Sequence, residues 1–239
     1  MFYLDLTLSS PEQNLACDEA LLDACEAGEL SDLIRFWEPD QYAVVLGYGN
    51  QVAREVHVEF CRRVKLPILR RCTGGGTVLQ GPGCLNYSLV LGVEGPHPVH
   101  SISAANDFIM GRHRDMFAEL LRARVERAGQ TDLAIAGRKF CGNAQRRRHR
   151  YLLFHGCVLL SLDFDVVQEA LPFPSRQPDY RANRLHTDFL MNISTPASLL
   201  KAEFRRAWAA DAPVPHVPTA RIDHLALTRY STNEWNLRF

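Results

Sequence analysis

RRCTGGGTVLQGPGCLNYS, residues 70–88, places three consecutive glycines directly behind two arginines. Glycine weakens a strand and costs entropy on ordering, so such a run marks a place where the backbone itself is put to use. Spacing excludes two common glycine loops. A P-loop needs Lys-Ser/Thr after its last glycine, whereas Thr77-Val78 follows Gly76. A dinucleotide fingerprint needs a third glycine where Leu79 stands. What remains is a strand, two arginines, a glycine turn and a second strand. Backbone N–H groups in such a turn can cradle an anion or a carbonyl, and Arg70 or Arg71 can add a bidentate contact to phosphate. A bulge that only bends the sheet is the competing reading.

Strands surround this turn. LPILRR leads in, and CLNYSLVLGV, dense in β-branched and aliphatic residues, leads out. Upstream, FYLDLTL alternates as a strand. SSPEQNLACDEALLDACEAGEL then reads as a helix, with Ser10 as its cap, Pro11 in the first turn and Gly28 past the end. RFWEP and YAVVLGYG form two short strands about Pro39-Asp40, and a short helix follows near Ala53–Val64. The spacing of Phe108, Ile109, Met116, Phe117, Leu120, Leu121 and Val125 predicts a long helix over Ile102–Arg127. DLAIAGRKFCGNAQ and RYLLFHGCVLLSL form a hairpin about RRRHR, residues 146–150. A last helix is expected near Pro196–Ala209, and DAPVPHVP reads as a linker. Strands dominate the centre and mostly follow one another. The expected fold is therefore α+β, a central mixed or antiparallel sheet with flanking helices packed to one side.

With 239 residues and a 46% apolar share, the chain has the material for one sizeable core. Its formal net charge is zero, which gives no case for bulk nucleic-acid or membrane-surface binding. Of 27 basic residues only Lys65, Lys139 and Lys201 are lysines. The seven cysteines are scattered, odd in number and without a CxxC pair, which argues against a disulfide framework and a structural zinc site. No apolar run reaches the length of a membrane span, and the N-terminus lacks a basic leader. The expected location is the cytoplasm.

Three further segments carry candidate chemistry. In GRKFCGNAQ, Lys139 lies between Gly137 and Gly142 on a strand; it is either an ammonium facing a ligand or an edge-strand guard against aggregation. In HGCVLL, His155 and Gly156 return opposite that region, and a lone histidine is commonly a satisfied core residue. Cys72, Cys84, Cys141 and Cys157 lie in or near these loops as candidate nucleophiles, although free cysteines are usually buried and inert. RRRHR is either a solvated hairpin tip or a patch that steers an acidic partner.

In this order the segments resemble the lipoate–protein ligase A family of the wider lipoate/biotin ligase group. RRCTGGGTVLQGPGCLNYS is similar to that family's RRxSGGGxVxxxxGxxNYS signature. TDLAIAGRKFCGNAQRRR and FHGCVLL are similar to its second signature, and WEPDQYAVVLGYGNQ, PDYRANRLHTDFLMNI and NEWN to flanking segments. The resemblance implies a single catalytic domain over residues 1–239, akin to class II aminoacyl-tRNA synthetases and biotin ligases. The small accessory C-terminal domain of many members is absent from it, a place a separate small subunit would fill. The implied activity is ATP- and Mg²⁺-dependent activation of lipoate to lipoyl-AMP, then transfer to a lysine of a lipoyl-domain acceptor such as a dehydrogenase E2 subunit or glycine cleavage H protein. Lys139 would hold the α-phosphate and acyl oxygens. Arg70, Gly74, Gly75 and Gly76 would frame the acyl phosphate and aliphatic chain. Asn86, Asp132, Ala144 and His155 would line the nucleotide and carboxylate region, with Arg71, Thr73, Val78, Gly142 and Gly156 beside them. Asp132 is the expected Mg²⁺ ligand. Neither membrane nor nucleic acid is an expected partner.

Two departures open alternatives. Thr73 replaces the family's usual serine, and Cys141-Gly142-Asn143 replaces Ser-Gly-Ser, setting a thiol beside the lysine. Related octanoyltransferases move octanoate through an acyl-cysteine and need no ATP. In those most like this chain the cysteine sits in the loop before the GRK strand, where ERAGQTDLAIAG has none. The leading expectation is the ligase. Octanoyl transfer through Cys141 or Cys84 is its alternative, and a non-catalytic lipoyl-domain binder using RRRHR is the second.

Overall fold

The computed structural model describes residues 1–239. Its strands are β1 (Phe2–Asp5), β2 (Leu33–Trp37), β3 (Ala43–Leu46), β4 (Ile68–Arg70), β5 (Val78–Gln80), β6 (Cys84–Gly92), β7 (Val125–Ala128), β8 (Asp132–Ile135), β9 (Arg138–Arg147), β10 (Tyr151–Leu159) and β11 (Ala212–Pro213). Eight of them form one mixed sheet in the order β11-β1-β2-β6-β10-β9-β8-β7, and β4-β3-β5 form a small second sheet. The fold is α+β. No helix is long and apolar enough to cross a membrane.

Alternation along β6 and β10 divides the large sheet into two faces. Leu85, Tyr87, Leu89 and Leu91 on β6, with Leu152, Phe154 and Val158 on β10, share one core with the helices Ile102–Leu121 and Ala197–Trp208. On the opposite face Leu33, Val90 and Leu153 share another with the helices Pro11–Glu26 and Thr219–Leu225. Helices therefore cover both faces, not the one expected. Each large side chain sealed this way contributes roughly 2–3 kcal/mol.

Local signals set several boundaries. Ser10 caps its helix by accepting from the Gln13 N–H at 3.2 Å, and Pro11 opens it. The helix expected over Ile102–Arg127 ends at Leu121, because Arg122 turns left-handed (φ 47°) and Val125 enters β7 to pair with Ile135. RFWEP and YAVVLGYG do not pair with each other: β2 joins the large sheet and β3 the small one. The DAPVPHVP segment supplies β11, which extends the large sheet beyond β1.

Candidate active site

Register across the sheet sets residues side by side in rows. Leu33, Val90 and Leu153 form an apolar row under the first helix. One step along, Arg35, Ser88, His155 and Ala144 form a second row. Another step on, Trp37, Asn86, Cys157, Gly142 and Asp132 form a third, across β2, β6, β10, β9 and β8. Directly paired residues share a face, so the third row is a continuous floor. It underlies a cleft of about 800 Å³. Arg71, Gly75, Gly76 and Val78 line the cleft from the glycine turn. Lys139, Ala144, His155 and Gly156 line it from the hairpin, with Asn86, Asp132 and Gly142 in the floor. Arg70, Thr73, Gly74, Cys84 and Cys141 do not line it.

A bulge places the lysine. Leu133 pairs with Cys141 but Ala134 pairs with Lys139, so Phe140 is the extra residue of β9. Phe140 and Cys141 turn into the apolar core, and Lys139 faces the cleft. Its Nζ lies 2.8 Å from Asp132 Oδ1. Asp132 Oδ2 accepts from the Tyr180 hydroxyl at 2.7 Å, and burial together with Asp132 drives that phenol's pKa upward. Both carboxylate oxygens are thus engaged by donors, and no group of three or more His, Cys, Asp or Glu side chains is placed to hold a metal. The residues present do not fit the expected Mg²⁺ site at Asp132. Asp132 is the counter-ion of Lys139.

The arginines of the opening motif build the turn from below. Arg71 donates to Thr73 Oγ1 at 2.9 Å and to the carbonyls of Gly74 at 2.6 Å and Gly76 at 2.7 Å. Burial pulls its guanidinium down to about 10. Gly75 takes φ +88°, where a Cβ would stand 2.9 Å from Arg71 Nη2, so the middle glycine serves the turn itself. Arg70 is 0% exposed and donates to the carbonyls of Gly47, Tyr48, Asn50, Trp235 and Asn236. It clamps the NEWN segment to the glycine loops; it does not meet the cleft.

A hydrogen-bonded chain links that turn to the floor. Asp18 Oδ2 is 3.1 Å from His155 Nδ1, and His155 Nε2 is 2.8 Å from Thr73 Oγ1. The Asp18 carboxylate can only accept, so Nδ1–H donates to it, and Nε2 meets the Thr73 hydroxyl that also accepts from Arg71. Burial alone would raise the Asp18 carboxyl; Arg35 at 2.6 Å and His155 more than offset it and hold it low. No local motif marks Asp18, which comes from the helix Pro11–Glu26, far from both signatures.

Cysteines separate by face. Cys141 is 0% exposed and faces the apolar core, out of reach of a substrate in the cleft, and burial pushes its thiol up to about 12. Cys84 is buried beside the small sheet. Cys157 alone among the seven is partly exposed, and it lines the cleft. The signal for it was present in the sequence: it follows His155 by two, so on a strand both face the same way. Three buried donors of cleft-lining residues have no hydrogen-bond partner: Trp37 Nε1, Asn86 Nδ2 and Arg181 Nη2. The RRRHR turn folds down onto the first helix, with Arg146 3.2 Å from Glu19, Arg148 2.9 Å from Asp23 and the Arg150 N–H bonded to Glu26. Much of its charge is answered within the chain, which weakens the patch reading.

The family described as the lipoyl protein ligase A/B catalytic domain matches residues 10–207. Octanoyltransferase LipM of Brevibacillus brevis is 28% identical over 271 aligned positions, covering 99% of this chain and 98% of that protein. The protein of the same name from Bacillus subtilis is 24% identical, covering 99% and 97%. Among solved structures, one of the bi-partite lipoate protein ligase system of Thermoplasma acidophilum superposes with a TM-score of 0.78 at 21% identity, covering 99% of this chain and 96% of that one. Lipoate-protein ligase A bound with ATP superposes with a TM-score of 0.77 at 23% identity, each chain covered to 99%. The structural likenesses establish the shared fold. The names of the sequence relatives overturn the leading expectation, ATP-dependent ligation of lipoate, and stand with its alternative. The match over residues 10–207 makes this chain a member of the lipoyl protein ligase A/B catalytic domain family.

Proposed function

We propose that the chain is an acyltransferase that moves an octanoyl group from a carrier-protein thioester to a lysine of a lipoyl domain. The names of its relatives support the octanoyl group. One observation in the cleft supports the chemistry. Asn86 Nδ2, unpartnered, and the Lys139 ammonium, which lies over Gly142, flank Cys157, with Leu15 and Val78 as apolar wall positions and Trp37 in the same floor row. An acyl chain laid along that wall brings its carbonyl oxygen to the donors. They stabilise most where negative charge develops on that oxygen during attack. A thioester already carries the activation that a ligase draws from ATP, so the reaction needs no nucleotide.

The test mixes purified protein, octanoylated acyl carrier protein and unmodified lipoyl domain without ATP or Mg²⁺. Mass spectrometry should find one octanoyl group on the lipoyl-domain lysine. No transfer from the thioester, with transfer from free octanoate once Mg-ATP is added, would overturn the reading.

A further inference from the structure

The turn between β7 and β8, Gly129-Gln130-Thr131, reaches the cleft through Gln130 and Thr131, and neither it nor the Ala136-Gly137 turn into the GRK strand carries a thiol. If acyl transfer runs through a covalent intermediate, its nucleophile comes from elsewhere on the cleft surface. Position and surroundings single out one residue. Cys157 occupies the centre of the floor row, with Asn86 paired to one side and Gly142 to the other. Gly142 has no side chain, so Lys139 lies over it beside the thiol's strand; a Cβ there would stand 2.6 Å from Nζ. Asn86 is 3% exposed, and its orientation is fixed because Gln80 donates to Oδ1 at 2.8 Å. That leaves Nδ2 as a buried donor with no partner, at a position lining the cleft. A buried donor without a partner is destabilising, and a ligand oxygen placed there relieves it.

We infer that Cys157 is the acyl-accepting nucleophile of this cleft, with Asn86 Nδ2 and the Lys139 ammonium as the donors that receive the thioester oxygen. The inference rests on the acyltransferase reading above and assigns its covalent step. The Cys157 sulfur forms a C–S bond to the octanoyl carbon while the bond to the carrier's sulfur breaks; the thiol proton lost from Cys157 leaves with the carrier thiol. The lipoyl-domain amine then attacks the Cys157 thioester. An amide forms, the C–S bond breaks, and the proton lost by the amine restores the Cys157 thiol. Neither step needs an oxidant, reductant or nucleotide.

Cys84 supplies a proton route. It sits diagonal to Cys157 on the same sheet face, since Cys84 pairs with Leu159 and Asn86 with Cys157. The thiols interact directly, which lowers the first ionisation, carried by Cys84, and together with burial raises Cys157 well above the ordinary thiol value; Lys139 opposes the rise. Cys84 takes the Cys157 proton as the sulfur attacks and gives it up to the carrier thiolate as that leaves, so Cys84 is a positioning residue.

The experiment incubates the whole protein with octanoylated acyl carrier protein and no acceptor, quenches with acid, and maps the adduct by peptide mass spectrometry. The expected result is one hydroxylamine-labile octanoyl group on the peptide carrying Cys157. It should be absent in Cys157→Ala, with transfer to the lipoyl domain reduced ~10³-fold or more. Cys157→Ser guards against misfolding: an unchanged melting temperature with lost transfer supports the assignment. Cys84→Ser should slow adduct formation and move its pH profile, while the adduct stays on Cys157. Octanoyl on another cysteine, or full transfer by Cys157→Ala, overturns the assignment and leaves the acyltransferase reading standing. Failure of the unaltered protein to move octanoyl from the thioester to the lipoyl domain overturns both.

Discussion

Lys139 Nζ reaches Asp132 Oδ1 at 2.8 Å by crossing the bare backbone of Gly142, so the ion pair exists because one residue on β9 has no side chain. The bulge at Phe140 and the glycine two residues on act together: the first aims the lysine at the cleft, the second lets it lie flat.

Gly142→Ala tests this directly. A methyl group placed 2.6 Å from Nζ displaces the end of a flexible side chain, which costs little stability but moves the ammonium. Octanoyl transfer should fall roughly 10–100-fold, since a displacement near 1 Å at a reacting group costs that much. The melting temperature should shift by only a few degrees. Equal losses of activity and stability would show that Gly142 serves the sheet and not the lysine.

Arg70→Lys separates clamp from ligand. Five carbonyls accept from the Arg70 guanidinium, and an ammonium with three donors on a flexible stem cannot reach them all. The substitution should destabilise by about 2–4 kcal/mol through carbonyls left without donors. Urea unfolding measures the loss. Folded protein at low temperature should keep its KM for the octanoyl donor; a KM raised tenfold without loss of stability would return Arg70 to the cleft.

How much of this was legible in the sequence follows from whether a signal is local. The two signatures, Lys139 and His155 were readable because each is a short run with its own chemistry. The strand alternation that sets Cys157 beside His155 was equally local. Cys141 looked reactive because it is two residues from Lys139, which on a regular strand would share its face. The bulge at Phe140 broke that inference, and it is defined by pairing with Leu133 and Ala134 on another strand. Arg70 lies outside the cleft for a related reason: its acceptors are backbone carbonyls, which leave no mark in a sequence. The helix expected to run to Arg127 failed at Arg122, where apolar spacing continues through Val125 but the backbone turns left-handed.

Glu19→Gln bears on the basic turn. Glu19 is 0% exposed and meets Arg146, Arg229 at 2.7 Å and the Tyr230 hydroxyl at 2.8 Å. Removing its charge leaves partly buried guanidinium groups without their counter-ion, at a cost of about 3–5 kcal/mol. Neutralising Arg147, by contrast, should change neither stability nor transfer, because its guanidinium reaches only the Ser101 carbonyl at 3.5 Å. If Arg147→Ala abolishes capture of the lipoyl domain, the turn is a docking surface after all.

His113 gives the fold a pH dependence with a definite sign. It is fully buried between Trp208, whose indole N–H donates to Nε2 at 2.9 Å, and the Tyr87 hydroxyl, 3.0 Å from Nδ1; Tyr87 in turn donates to Asn143 Oδ1. With Nε2 accepting, the imidazole is neutral and its proton sits on Nδ1. Burial, and after it the nearby Arg112 charge, pull its pKa from 6.5 down to about 3. The unfolded chain therefore binds a proton that the folded chain refuses. This contribution to stability is whole above pH 6.5, shrinks as pH falls through that window, and levels off below the folded value. By pH 4 the loss from this one group is about 3 kcal/mol. Urea unfolding at pH 7, 5.5 and 4 should show the decline, and His113→Gln, which keeps an acceptor for Trp208 but cannot titrate, should flatten it. Parallel declines in the two proteins would mean that carboxylates such as Asp18 carry the acid sensitivity and His113 does not.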